Sequence, residues 1–184
     1  MKRLFPILFC AILAACRPQP PLPVYGQIPP FQLTAESGEP MDSRALAGRV
    51  WVADFIFTTC TGPCPRMSTL MRQVQSATAS LPGVRLVSFT VDPERDTPPV
   101  LAAYARRYQA KPERWNFLTG PRETLHHLKR EAFKLGDVDG SLNHSTRLVL
   151  IDGRGRIRGY YGTDEDSPVW RLSTDVKRIV KEKA

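Results

Sequence analysis

Residues 55–71, FIFTTCTGPCPRMSTLM, join an apolar, β-prone run to a helical pattern, and two cysteines, Cys60 and Cys64, stand at the junction. Upstream, residues 50–57 (VWVADFIF) read as a strand in a sheet interior. Downstream, Met67, Leu70, Met71, Val74 and Thr78 recur at the three-and-four spacing of a buried helix face, with Pro65 suited to the first helical position and Leu81-Pro82-Gly83 closing the segment. A strand that hands two thiols to a first helical turn sets them where free backbone N–H groups and the positive helix end favour thiolate. Thiolates serve as nucleophiles, redox couples and soft metal ligands.

The flanking pattern predicts the rest of the fold. Residues 31–33 read as a short edge strand and residues 84–91 as a second buried strand. A helix follows to Tyr108, with Thr97 as N-cap, Pro98 at N1 and Leu101, Tyr104, Ala105 and Tyr108 on its apolar side. Residues 115–118 form a strand, 121–133 a third helix and 135–143 a Gly/Asp-rich loop that ends at His144. Strands at 146–151 and 157–161 pair through the turn Asp152-Gly153-Arg154-Gly155. Ser167-Pro168 then opens a last helix that buries Val169, Leu172, Val176, Ile179 and Val180. This order predicts an α/β, thioredoxin-like fold, a central mixed sheet flanked by helices, with extra N-terminal elements. Trp51, Trp115 and Trp170 are expected in the core. His126 and His127 are adjacent on a helix, so they diverge by about 100° and read as surface residues.

The N-terminus sets the compartment. Met1-Lys2-Arg3 is positive, and residues 4–15 are almost wholly apolar but shorter than the roughly 20 residues a membrane span needs, so residues 1–15 read as a signal peptide. Leu13-Ala14-Ala15-Cys16 resembles a lipobox, which implies cleavage before Cys16, lipidation of Cys16 and a protein anchored on the extracytoplasmic, periplasmic side. An ordinary signal peptide containing a cysteine is the alternative. Residues 16–30, with prolines at 18, 20, 21, 23, 29 and 30, read as a semi-rigid tether, and residues 31–184 as one domain. The formal net charge is +8 with Lys2 and Arg3 and +6 without them. Its basic residues are scattered, without the aromatic interleaving that nucleic-acid binding requires.

Of the four cysteines, Cys10 leaves with the leader and Cys16 takes the lipid, so Cys60 and Cys64 are the domain's own thiols. In an oxidising compartment such a pair becomes a disulfide unless it is kept reduced or metallated. Three intervening residues, Thr61, Gly62 and Pro63, permit either a sulfur–sulfur bond or metal chelation, and an inert buried pair is the bland alternative. His144 sharpens the choice, because a thioredoxin-like sheet brings the loop before the next central strand opposite the thiol loop. Two thiolates and an imidazole make a soft mixed set suited to copper.

Three segments, FTTCTGPCP at 57–65, FTVDPERDTP at 89–98 and NHSTRLVLID at 143–152, together resemble the Sco (SenC-type) family of copper-binding assembly factors for cytochrome c oxidase, over most of residues 31–182. The resemblance implies that Cys60, Cys64 and His144 bind copper and that the chain delivers it to an oxidase subunit, with a thiol reductant or another copper chaperone as further partner. Asp92 belongs to a family hallmark, while Glu94 and Asp96 read as turn and capping residues. Thr61 and Asn143 depart from the proline and aspartate that many members carry. Thr146 stands where general thioredoxin-like proteins place a cis-proline, which counts against an ordinary disulfide exchanger. The competing function is a thiol-disulfide oxidoreductase in which Cys60 attacks and Cys64 resolves.

Overall fold

The computed structural model describes residues 20–136 and 146–182. The signal peptide, Cys10, Cys16, Asn143 and His144 therefore lie outside the described residues. Among the described residues eight strands form one mixed sheet in the order β1-β8-β7-β4-β5-β6-β2-β3. In chain order they are β1 (Gly26–Gln27), β2 (Gln32–Ala35), β3 (Pro40–Asp42), β4 (Trp51–Ile56), β5 (Arg85–Thr90), β6 (Trp115–Thr119), β7 (Arg147–Ile151) and β8 (Arg156–Gly162). The helices are α1 (Cys64–Ala77), α2 (Pro98–Arg107), α3 (Arg122–His127) and α4 (Pro168–Lys181). The fold is the expected thioredoxin-like α/β arrangement.

Strand β4 runs parallel to β5 and antiparallel to β7, and all six of its residues are buried. Its alternate side chains feed two cores. Val52 and Ile56 meet α1, α2 and α4 through Met71, Val74, Leu101, Leu172 and Val176. Trp51 and Phe55 face the other side, where Phe55 stacks on Phe89 at 5.0 Å and meets Phe133 edge-on at 5.1 Å. Each such aromatic pair adds about 1 kcal/mol beyond its buried area.

Four expectations need correction. The segment near residue 31 is not the edge, because β2 sits between β6 and β3. A tight turn with Gly38 at φ +87° creates the added strand β3, and its Pro40 is tolerated there because an edge strand can spare an N–H. The third helix is not continuous: after His127 it widens into a π-helical turn over Leu128–Ala132, and the Phe133 amide bonds to the Leu128 carbonyl at 2.8 Å. Trp51 and Trp115 are buried as expected, but Trp170 is 67% exposed because its position falls on the solvent side of α4. Helix α1 begins at Cys64 itself, with Pro63 as N-cap, which moves Pro65 one place inward.

The proline-rich segment does not stand clear of the domain from Pro20 onward. Strand β1 pairs with β8, and Arg158 donates to the carbonyls of Leu22 at 2.7 Å and Pro23 at 3.1 Å. Arg158 is buried against Asp152, which also accepts from Arg156 and from the Arg154 and Arg156 amides. Burial pushes the Asp152 pKa upward, but these bonds outweigh it and hold the carboxyl below its ordinary value. Replacing Arg158 with Met is expected to cost about 3 kcal/mol, since it strips a partner from a buried carboxylate. Amide exchange at Tyr25 and Ile28 should accelerate with it, because both bond to the β7–β8 hairpin. Denaturant melts and hydrogen exchange check this.

Candidate metal and redox site

The thiols sit where β4 ends and α1 begins, at the C-terminal ends of the parallel strands β4, β5 and β6. This is where open α/β sheets place their sites, since successive strands and helices leave a crevice there. Cys60 is 9% and Cys64 3% exposed, and both are free. Their side chains are near enough for Cys60 to act on the Cys64 thiol, and no bond joins the two sulfurs. A turn shapes the loop, with the Cys60 amide on the Phe57 carbonyl at 3.2 Å.

The helix start does not favour thiolate at Cys64. Burial raises its pKa to about 12, and the neighbouring Cys60 sulfur adds to the rise by hydrogen bonding to the protonated form. A backbone hydrogen bond from Phe57 pulls the other way but is outweighed. The helix end is weakened by its own sequence. Pro65 in the first turn has no N–H to offer, and the Met67 amide is already bonded to the Pro63 carbonyl at 3.0 Å.

Beneath the pair lies Asp54, fully buried on the same face of β4 as Ile56. Ser88 donates to its Oδ1 at 2.5 Å, and the Trp115 indole N–H donates to Ser88 at 2.9 Å. Asp54 Oδ2 has no protein partner. Burial pushes this carboxyl up to about 7, against the Ser88 hydrogen bond that lowers it. Its negative charge, when present, further disfavours thiolate at Cys64.

The thiol loop is clamped from the side by Asp96. Its carboxylate accepts from the Thr58 amide at 3.1 Å, the Thr58 hydroxyl at 2.5 Å and the Thr90 hydroxyl at 2.5 Å. Asp96 is completely buried and makes no helix-capping bond, so the capping expectation is replaced by a positioning role. Glu94 instead pairs with Arg122 at 2.8 Å, and Asp92 with Arg95 at 2.9 Å, both at the surface. The importance of Asp96 was hidden in the sequence because 38 residues separate it from Thr58. The one available signal was a third carboxylate in this segment, directly before Thr97-Pro98.

Buried, neighbouring thiols provide soft donors for a soft cation, and they are also placed to form a disulfide. Among the described residues no group of three His, Cys, Asp or Glu side chains forms a metal set. His126 is no substitute: it bonds to the Val91 backbone, and burial, then Arg122 and Lys129, lower its pKa. A cleft of about 460 Å³ lies at the far end of the sheet, lined by Phe31, Trp51 and the Gly153–Gly155 turn, and holds neither thiol.

Two substitutions test this construction. Asp96→Asn should destabilise the protein by about 2 kcal/mol through weakened charge-assisted bonds, and should loosen the thiol loop in hydrogen exchange at Thr58. For Asp54 the sign is opposite. The native state holds its proton up to about pH 7, whereas an unfolded chain releases it near 3.8, so stability is lost as pH rises between those values. Asp54→Asn is therefore expected to be neutral near pH 4 and stabilising at pH 8, by up to about 4 kcal/mol, in thermal melts.

Comparison with known proteins gives one consistent answer. The family model described as SCO1/SenC matches residues 24–181. A putative copper-binding protein of Stutzerimonas stutzeri is 33% identical over 148 residues, which cover 76% of this chain and 71% of the relative. The crystal structure of a SCO1/SenC family lipoprotein from Bacillus anthracis superposes with a TM-score of 0.76 at 32% identity, over 84% of this chain and 95% of that one. The structure of BsSco, a member of the Sco family of cytochrome c oxidase assembly proteins with a disulfide switch, gives a TM-score of 0.76 at 30% identity, over 87% and 97%. Among the described residues no helix is long and apolar enough to cross a membrane.

Proposed function

Because the chain belongs to the SCO1/SenC family, we propose that it is a copper chaperone for cytochrome c oxidase, anchored through a lipid on Cys16, that holds copper with Cys60, Cys64 and His144. The observation that carries this reading is the neighbouring pair of free, buried thiols at the β4–α1 junction. The third ligand is drawn from the chain entering β7. That strand is antiparallel to β4, with Ala53 opposite Val149, so its first residue, Arg147, stands at the thiol end of the sheet. His144 precedes Arg147 by three residues. Copper here is cargo, received and released by ligand exchange with an oxidase subunit.

Burial favours this use of the pair. Binding expels the protons from both thiols, and a copper ion replaces them with compensating positive charge. The raised Cys64 pKa makes the uptake proton-releasing at neutral pH, so affinity should fall as pH falls. A disulfide between Cys60 and Cys64 removes both donors.

A copper titration of the full chain in detergent should show one ion bound per chain, with Cys60→Ser and Cys64→Ser each abolishing it. His144→Ala should weaken it by 10-fold or more, on the order of one lost ligand. Wild-type affinity in a Cys60→Ser/His144→Ala double variant would falsify the assignment.

The unequal burial of the two thiols favours one second reading, thiol-disulfide exchange on an oxidase subunit or another extracytoplasmic partner. The more exposed Cys60 would attack a partner disulfide as thiolate, forming a mixed disulfide. Cys64, losing its proton, would then attack Cys60, and the partner would leave as a dithiol. This reading predicts metal-independent turnover of a disulfide substrate that is indifferent to His144→Ala.

A further inference from the structure

We propose that the outer face of α4 rests on an anionic lipid surface and sets the orientation of the thiol site relative to the membrane. Helix α4 buries Leu172, Val176 and Ile179 on one side. On the other side Trp170, Lys177 and Lys181 are all exposed, and their spacing of seven and then four residues brings them within about 40° of each other on the helix surface. Trp170 is the most exposed large hydrophobic side chain among the described residues, at 67%. A tryptophan flanked by lysines on one face is the pattern of a helix lying in the headgroup region, the ring among the glycerol groups and the ammonium groups on phosphates.

The chain's path supplies the second, independent observation. At the edge of the described structure the Pro20 carbonyl accepts from Arg178 of α4 at 2.7 Å, so the N-terminal strap meets this helix on the flank of its lysine stripe. Four residues of chain reach at most about 14 Å, which keeps a lipid on Cys16 beside α4. The strap also exposes Val24, whereas the Tyr25 ring turns to the other face of the sheet and meets Tyr160 edge-on.

Charge favours lipid over an acidic protein. Within α4 and at its C-terminal end, where the lysines stand, the acidic groups are taken by internal pairs, Asp175 with Arg178 and Glu182 with Arg158; ahead of the helix Glu165 pairs with Arg171, and Asp164 and Asp166 are exposed. Lys177 and Lys181 form no ion pair among the described residues. Helices α1 and α4 pack side by side and start at the same end of the sheet, since β4 and β8 run parallel through their shared neighbour β7. A helix α4 lying on the bilayer therefore sets the neighbouring α1, whose first residue is Cys64, beside the membrane-facing helix, within reach of an integral subunit.

The inference rests on the lipid anchor proposed above, and the test separates the two. Trp170 is the useful reporter because the chain's other tryptophans, Trp51 and Trp115, are buried. The full lipidated chain is reconstituted into vesicles of phosphatidylglycerol with phosphatidylethanolamine, and into phosphatidylcholine alone. In the anionic vesicles its fluorescence should be shielded from acrylamide and quenched by acyl-brominated lipid, and Trp170→Phe should erase both effects. Lys177→Gln/Lys181→Gln should lower the lipid-apposed population about 30-fold, from two surface lysines at about 1 kcal/mol each. Equal acrylamide access in anionic vesicles and in detergent overturns the proposal, as does shielding that appears only when an oxidase subunit is added. A mature mass lacking the diacylglycerol refutes the anchor instead. The unlipidated chain must then still sediment with anionic vesicles in a salt-sensitive manner, and its failure to do so overturns the docking face as well.

Discussion

Burial of β4 on both faces is the constraint from which the site follows. A strand with a core above and another below has no freedom to slide or twist, and each residue added to it must leave at its C-terminal end. Ile56 closes one core and Phe55 the other, so the chain emerges at Phe57 with its direction already fixed. Cys60 and Cys64 inherit that rigidity, and Asp96 removes most of what remains by binding both the amide and hydroxyl of Thr58. The loop is thus held by the sheet from below and by the α2 entry from the side. A thiol pair in such a frame is held in place at little entropic cost when a ligand arrives.

The same burial defines the chemistry. Taking the Cys64 thiol and the Asp54 carboxyl out of water penalises the negative charge on each and raises both pKa values. A conventional nucleophilic cysteine requires the opposite environment, exposed and electropositive. A buried dithiol becomes comfortable as dithiolate when a cation sits between the sulfurs, or as a neutral disulfide. Two charge-compensated states are therefore open to such a pair, metallated and oxidised, with the protonated dithiol between them.

The sequence was most legible where local pattern and tertiary role agree. The apolar run before Cys60, interrupted only by Asp54, reads as a doubly buried strand, and the regular spacing in α1, α2 and α4 marks Met71, Leu101 and Leu172 as core residues. It was least legible where the determining contact is remote. Asp96 looked like a cap because its partners, Thr58 and Thr90, come from two other segments. Trp170 looked like core because aromatic rings usually are, yet the same helical periodicity that buries Leu172 turns position 170 outward. Strand β3 escaped notice because Pro40 argues against strands everywhere except at an edge.

The central claim is that one copper ion joins Cys60, Cys64 and His144. Absorption spectroscopy of the full chain loaded with Cu(II) addresses it directly. The account predicts an intense thiolate-to-Cu(II) charge-transfer band in the wild type that disappears in Cys60→Ser and Cys64→Ser and is lost in His144→Ala. A band of unchanged position and intensity in His144→Ala would contradict it.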